Sequence, residues 1–471
     1  MINKLCKLEN KKILVVGDIL IDHYININPK KISEEYPGIV FNYENDYYKL
    51  GGAGNVANNL SKFNISVDIV SLAGKDSNLE ILNKMLKENY ISNKYLIIDS
   101  NYKTSIKDRY YSKENKQIIR IDNEINYFDN YDKIKSTLKD AFNNRYDAIV
   151  ISDYRKGLIT DEIFNYIIEL ANKNNTIVIC DPKDGLVKYH DLFVLKPNER
   201  ELREILNGDI NYEKVFEYKN KNNIKNLVLT LGENGIKLFE ENNEIKTIKG
   251  IKQEIFDVTG AGDIVLAYIC IGILAGLSMI ELCEIANKAG SKKVTKFGTQ
   301  TISLNDIHPL LINTKLLERN LINNYCKLIH KDNKKIVFTN GCFDIIHSGH
   351  LYLLKEAKKM GDVLIVGLNS DDSIKRLKGD KRPINNISER IEILNSFDFI
   401  DYIVVFEEDS PLEIIKLVNP DILVKGSDYK DKYVIGTNEV IQNGGELRFV
   451  NLIQDKSTSN IIKKIIGDTN V

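Results

Sequence analysis

Cysteine is scarce and unpatterned in this chain. Six cysteines, at positions 6, 180, 270, 283, 326 and 342, are spread over 471 residues. No two form a C-x-x-C pair or a Cys/His cluster at metal-ligand spacing, which excludes a disulfide scaffold and points to reduced thiols in the cytosol. An excess of charge is also missing: 65 Lys+Arg against 66 Asp+Glu leave a net charge of −1. There is therefore no global electrostatic reason to expect nucleic acid or an anionic membrane as partner. With 28 glycines, 8 prolines, 43% apolar and 28% charged residues, neither a collagen-like nor a disordered chain fits. The N-terminal MINKLCKLENKK is polar and shows no signal peptide. One charge-free run, the seventeen residues from Ile264 to Ile280, comes close to the length of a membrane span. It contains Gly272, Gly276 and Ser278 and follows a glycine-rich turn, so it predicts a core helix of a large α/β domain. Internal repeats and low-complexity tails are lacking.

What is present is alternation. At about 150 residues per domain the length allows two or three units. Short β-branched runs at Lys12–Gly17, Val67–Leu72, Ala148–Asp153, Thr176–Asp181, Leu192–Leu195 and Leu227–Leu231 read as buried strands. Amphipathic stretches such as Thr160–Lys173 separate them, which predicts a doubly wound, mostly parallel sheet with helices on both faces. Around Lys30–Tyr48 and Lys103–Ile121 the period drops to two, and an antiparallel flap is expected. A second α/β series starts at Lys335, with strands expected at Ile336–Thr339, Val363–Leu368, Tyr402–Phe406, Ile422–Val424 and Leu447–Val450. Residues 313–333 are helical in period but strongly polar and read as a linker between domains at 1–312 and 334–471.

The most specific string in the first unit is Asp257-Val258-Thr259-Gly260-Ala261-Gly262-Asp263, directly before the apolar run. Gly260 and Gly262 let the backbone approach an anion, and a helix N-terminus there offers free N–H groups and a positive dipole end. Charge developing on a transferred phosphoryl group would be stabilised in that cradle, with Asp263 beside it to accept a proton from an attacking hydroxyl. Asn198 and Glu201 follow a strand at N-x-x-E spacing. This suits a water-mediated Mg²⁺–phosphate contact and equally an ordinary capping box. Thr230, Gly232 and Gly235 form a glycine-containing turn after another strand. Gly51, Gly52 and Asn55, with Asp18 and Asp22 after the first strand, are candidates for sugar-hydroxyl contacts. These motifs, in this order, resemble the ribokinase family of sugar kinases. The resemblance implies a sugar near Asp18, Gly51, Gly52 and Asn55, ATP bound by Asn198, Glu199, Arg200, Glu201, Thr230, Gly232, Gly235, Gly260, Ala261 and Gly262, and Asp263 as catalytic base.

In the second unit a strand leads into Asn340-Gly341-Cys342-Phe343-Asp344-Ile345-Ile346-His347-Ser348-Gly349-His350. Histidines at i and i+3 project the same way where a helix starts, and Gly349 lets a phosphate approach. Imidazole donors and the helix dipole suit a pentavalent phosphorus. Zinc is the competing reading and lacks a third ligand nearby in sequence. Cys342 reads as a small packed residue. The segment resembles the H-x-G-H nucleotidyltransferase superfamily. That resemblance implies nucleotide contacts from Asn340, Gly341, Phe343, Asp344, Gly349, Lys425, Gly426, Ser457, Thr458 and Ser459, with His347 and His350 catalytic. The basic stretch Lys378–Pro383 is either a loop near this site or a solvated charge run.

The two resemblances together imply an α/β chain: a ribokinase-like doubly wound sheet with a small β flap, then a Rossmann-like nucleotidyltransferase domain. In this order they resemble bacterial bifunctional enzymes joining a heptose-7-phosphate kinase to a heptose-1-phosphate adenylyltransferase. The resemblance implies ATP at both sites, Mg²⁺, sugar-phosphate substrates, a separate phosphatase acting between the steps, a cytoplasmic homodimer, and ADP-heptose for lipopolysaccharide core or other glycans. A sugar kinase fused to a cytidylyltransferase, or a non-catalytic metabolite sensor, are the alternatives.

Overall fold

The computed structural model describes residues 2–451 apart from 126, 184, 312 and 313. Two compact units divide the chain, Met1–Ile307 and His308–Val471. The first is built on a nine-stranded sheet in the order Ile245–Lys249, Gly235–Phe239, Asn226–Thr230, Val194–Leu195, Ile177–Asp181, Ala148–Ser152, Lys12–Gly17, Ser66–Gly74, Ile91–Asp99. All pairings are parallel except the two that involve the hairpin 235–249. Ile13, Leu14, Val15 and Val16 are all buried, so both faces of the central strand are covered. Leu14 and Val16 share a core with Ile134 and Leu138 of helix Tyr131–Ala141 and with Ile163 and Ile167 of helix Asp161–Lys173. Thr160 caps the latter helix, its hydroxyl accepting from the Ile163 N–H.

The first half of the apolar run is internal, as expected, but it is not one helix: the helix ends at Leu274, and after a turn through Gly276 a second starts at Met279, leaving Ile280 exposed. Helix Ala261–Leu274 buries Ile264 through Ile271 and lies against helices Ala53–Ser61 and Met279–Val294. Among the described residues no helix is long and apolar enough to cross a membrane.

The flap is a four-stranded sheet, Ile39–Gly52, Ile19–Ile32, Ile106–Tyr111, Gln117–Asn123 in spatial order. It corrects the expectation in one respect: its central pairing, Ile19–Ile32 with Ile106–Tyr111, is parallel. Between those strands the chain contributes two strands and two helices to the main unit. A hairpin cannot make that connection, and the returning strand enters from the same end.

The second unit carries a six-stranded, all-parallel sheet: Leu316–Leu317, Tyr402–Phe406, Val363–Asn369, Ile336–Gly341, Ile422–Gly426, Glu446–Val450. Of residues 313–333, expected as a linker, those from 314 on are part of this unit. Leu316–Leu317 pairs with Tyr402–Phe406, and helix Ile322–Lys331 buries Ile322, Tyr325, Cys326, Leu328 and Ile329. The segment looks polar because only one face of the helix is covered; on that face the Tyr325 and Tyr402 hydroxyls meet at 2.8 Å.

None of the six cysteines forms a disulfide: five are buried and Cys342 alone is partly exposed. In each sheet one strand, Lys12–Gly17 or Ile336–Gly341, stands where the strand order reverses. The crevice outside its carboxyl end is where such sheets bind ligands.

Candidate active sites

Gly17 ends the first of these strands and Asp18 follows it. The Asp18 Oδ2 accepts from the Tyr154 N–H at 2.9 Å and the Lys156 N–H at 3.0 Å, tying it to the turn after strand Ala148–Ser152. Gly52 caps helix Ala53–Ser61 at φ 56° and ψ −135°. A Cβ there would stand 2.4 Å from the Asp18 carbonyl oxygen, and one on Gly51 would stand 2.7 Å from the Asp22 carboxylate. Gly52 is thus required by the backbone it faces, and Gly51 leaves room for the Asp22 carboxylate. Asp22 is held by Arg109 (Nε 3.0 Å) and by the Thr299 hydroxyl (2.8 Å). Asn55, buried in the first turn of its helix, reaches across the unit to Asp263.

Asp263 lies in the first turn of helix Ala261–Leu274, which Gly260 caps in the left-handed region at φ 77°. The turn before it is fixed by Asp257, whose carboxylate accepts from the Thr259 and Gly298 N–H groups at 2.8 Å each. Both Asp263 oxygens are engaged: Oδ1 accepts from the Tyr154 hydroxyl at 2.6 Å and Oδ2 from the Asn55 amide at 2.8 Å. Burial pushes the Asp263 carboxyl up to about 6, against these two hydrogen bonds.

Beside it opens a cavity of about 860 Å³ lined by Lys196, Asn198, Glu201, Thr230, Gly232, Gly235, Ala261 and Gly262, among others. The two readings of N-x-x-E coincide. Asn198 and Glu201 form a reciprocal capping box, each accepting the other's N–H at 2.9 Å, and both line the cavity. Glu199 and Arg200, expected at the nucleotide, are exposed, and Arg200 pairs with Glu204 at 2.9 Å. At about 100° per residue, the two positions between cap and third residue turn away from the cleft.

Lys196 is buried, its Nζ 2.9 Å from Asp181 Oδ1 and 3.8 Å from where a Gly262 Cβ would be. Burial raises Asp181 while the ammonium opposes it. Lys196 is itself raised by its carboxylate neighbours, and the pair is read as ionised. Tyr154, Asp181 and Lys196 were not singled out as site residues from sequence. Their shared signal is a polar residue at or just beyond the carboxyl end of a buried parallel strand.

In the second unit, His347 caps helix Ser348–Lys358, with Nδ1 accepting from the Gly349 N–H at 3.2 Å. The His347 and His350 rings lie 3.9 Å apart, and Phe343, at φ 45°, packs on His350. Burial, with His347 adding to it, pushes the His350 imidazole down to about 4, so it is neutral at physiological pH. Its Nδ1 is buried without a hydrogen-bond partner. Lys425, ending strand Ile422–Gly426, donates to Asn340 Oδ1 at 2.6 Å, and burial lowers it to about 8. Lys425 and Asn340 are thus joined, as are Phe343, His347 and His350.

The Asp344 carboxylate is engaged with the end of the basic stretch and the chain after it. It accepts from Arg382 Nε at 2.6 Å and from the Ile384 and Asn385 N–H groups. It thereby anchors the basic stretch to the site, although Lys378, Asp380 and Lys381 remain exposed. Arg390, fully buried and missed from sequence, donates to the Cys342 and Asn369 carbonyls at 2.7 and 2.8 Å and locks the turn before His347. Ser457, Thr458 and Ser459 lie outside the described residues. Among the described residues no three His, Cys, Asp or Glu side chains cluster to hold a metal ion, so zinc has no third ligand beside His347 and His350.

Residues 10–306 match the pfkB family of carbohydrate kinases, and residues 338–463 match the cytidylyltransferase-like family. Escherichia coli phosphofructokinase-2 (TM-score 0.54, 17% identity) and a putative sugar kinase from Clostridium perfringens (TM-score 0.52, 19% identity) share the first unit's fold. Each is aligned over 64% of this chain, and over 97% and 96% of its own length. Fold and sites define an enzyme that joins a carbohydrate kinase to a nucleotidyltransferase. The "Bifunctional protein HldE" of Aliarcobacter butzleri is 41% identical over 96% of this chain and 97% of its own. The same-named proteins of Helicobacter pylori J99 and Campylobacter fetus are 39% and 38% identical over 97% of this chain and 98% and 99% of theirs. The chain belongs to this family of bifunctional HldE proteins.

Proposed function

We propose that the first unit phosphorylates the anomeric hydroxyl of D-glycero-β-D-manno-heptose 7-phosphate, and that the second transfers AMP from ATP to heptose 1-phosphate, giving ADP-heptose. The observation that carries the reading is the convergence of Asp263, the Gly260–Gly262 turn and Lys196 at one end of the large cavity. Asp263 takes the proton as the sugar oxygen attacks the γ-phosphorus of ATP and ADP leaves. The N–H groups of the helix N-terminus and the Lys196 ammonium meet the charge that develops on the transferred group. Asp181 and Glu201 offer the oxygen donors that Mg²⁺ prefers; when bound, the ion neutralises phosphate charge.

In the second unit a phosphate oxygen of the sugar attacks the α-phosphorus and pyrophosphate leaves. His347, neutral His350 and Lys425 supply donors to the crowded phosphorus. The 7-phosphate has to be removed between the steps, so a separate phosphatase belongs to the scheme. The chain is expected to work as a cytoplasmic homodimer.

Full-length protein given heptose 7-phosphate and ATP should form ADP; given heptose 1-phosphate it should release pyrophosphate from ATP in preference to CTP. Asp263→Asn should lower the first rate ~10²–10⁴-fold and spare the second. His350→Ala should lower the second ~10²–10³-fold and spare the first. Normal kinase turnover in Asp263→Asn, or preference for CTP, would sink the respective half.

A further inference from the structure

Tyr154 occupies a position that neither the motifs nor the family assignment explains. A tyrosine in a sugar-kinase core would ordinarily spend its hydroxyl on a carbonyl or on water. This one donates to Asp263 Oδ1 at 2.6 Å, across 109 residues of sequence. Two further contacts and the turn that follows fix it. Its N–H donates to Asp18 Oδ2 at 2.9 Å. The turn that follows carries Arg155 at φ 57° and Gly157 at φ 97°, and a Cβ on Gly157 would stand 2.8 Å from the Phe128 nitrogen. Left-handed backbone at a non-glycine residue is costly and persists where the surroundings demand it. The Lys183 ammonium lies 5.2 Å from the ring centroid and 4.0 Å from Glu201 of the capping box. One aromatic side chain thus touches the sugar-side aspartate through its backbone, the nucleotide side through its ring, and the proton acceptor through its hydroxyl.

We propose that Tyr154 is a positioning residue of the kinase reaction, whose hydroxyl holds the Asp263 carboxylate in its attacking-hydroxyl-facing rotamer and keeps it anionic. This rests on the reading of Asp263 as base. The groups facing Asp263 are Tyr154 from the turn after strand Ala148–Ser152, Asn55 from helix Ala53–Ser61, Lys196 from the strand end before Pro197, and Asp22 and Asp181 as like charges. Asp22 opposes ionisation of Asp263; Tyr154, Asn55 and Lys196 favour it. Of these three, Tyr154 makes the shorter hydrogen bond of the two side chains that touch the carboxylate. Its own ionisation is driven far up by burial and by Asp263, so it remains a donor throughout the working range.

The test is the pH profile of kinase kcat/KM in Tyr154→Phe, made in the full chain. That profile reports the free enzyme's base. Loss of one donor to the anion destabilises it, so the acid limb should move upward by about one pH unit, with a roughly fivefold loss near pH 6 that approaches roughly tenfold at lower pH and narrows toward pH 8.5. Adenylyl transfer by the same sample should be unchanged, and a wild-type melting transition of the first unit shows that the half holding Tyr154 is folded. Should Tyr154→Phe melt early, 3-fluorotyrosine introduced at position 154 keeps the shape and strengthens the donor; the limb should then move to lower pH. A uniform loss with the limb in its wild-type place means a merely structural hydrogen bond and overturns the proposal. Asp263→Asn separates the two readings. If it retains turnover, the base assignment falls; if it is inactive while the Tyr154→Phe limb stays put, only the role of Tyr154 falls.

Discussion

Among the described residues Lys425 is a cation that hydrogen-bonds to Asn340 alone, to its side-chain oxygen at 2.6 Å and its carbonyl at 3.5 Å. Burial lowers it to about 8, so in the free enzyme the ammonium is present below that pH and lost above it. Adenylyl-transfer kcat/KM should therefore fall above about pH 8, and Lys425→Arg, charged throughout, should extend the plateau. An identical basic limb in the arginine variant would remove Lys425 from the anion contact. Single residues were legible from sequence where the signal is local. Asp263 follows Gly260 and Gly262, and His347 and His350 flank Gly349, so backbone permissiveness and chemistry appear side by side. Tyr154 and Arg390 were not legible because their partners lie 109 and 48 residues away, and a tyrosine or arginine in isolation says nothing of what it meets. Glu199 and Arg200 came in with the motif, and helix geometry leaves both exposed.

Elements with a continuous β-branched run were readable to within a residue or two, because two buried faces leave no other composition open to a parallel strand. Tyr402–Phe406 matches as expected, and Ala148–Ser152 ends one residue early. Leu316–Leu317 could not be read, since two residues carry no period. The parallel junction in the flap is set by a crossover that lies elsewhere in the chain. The link from strand Ile39–Gly52 into helix Ala53–Ser61 gives a test at this scale. Gly52→Ala places a Cβ against a carbonyl oxygen at a φ of 56°, a backbone–backbone conflict that should cost about 2–3 kcal/mol and appear as a clear drop in melting temperature. Gly51→Ala meets chiefly the carboxylate end of Asp22, with the Leu20 Cβ at 3.3 Å, and should keep most of the stability while impairing sugar phosphorylation. Equal melting temperatures for the two variants would contradict this backbone account.

At the scale of the whole molecule, the boundary matters more than the linker once expected there. A fragment starting at residue 308 should fold and carry adenylyl transfer, and one ending at residue 307 should phosphorylate sugar. A fragment starting at Asn333 loses strand Leu316–Leu317 and the buried face of helix Ile322–Lys331. At roughly 1.5–3 kcal/mol for each large side chain removed from a core, that exceeds the few kcal/mol by which a domain is stable, and calorimetry should show no cooperative transition. A cooperative melt of this shortest fragment would restore the linker. The distribution of sulfur has a consequence of its own. Five thiols are enclosed, and burial pushes Cys6 and Cys283 up to about 12, beyond the reach of ordinary alkylating reagents. The sixth, Cys342, sits in the turn between strand Ile336–Gly341 and His347. The native chain therefore comes with one addressable handle, so that a fluorophore or spin label coupled to unmutated protein would report on the nucleotidyltransferase half and leave the kinase half unmarked.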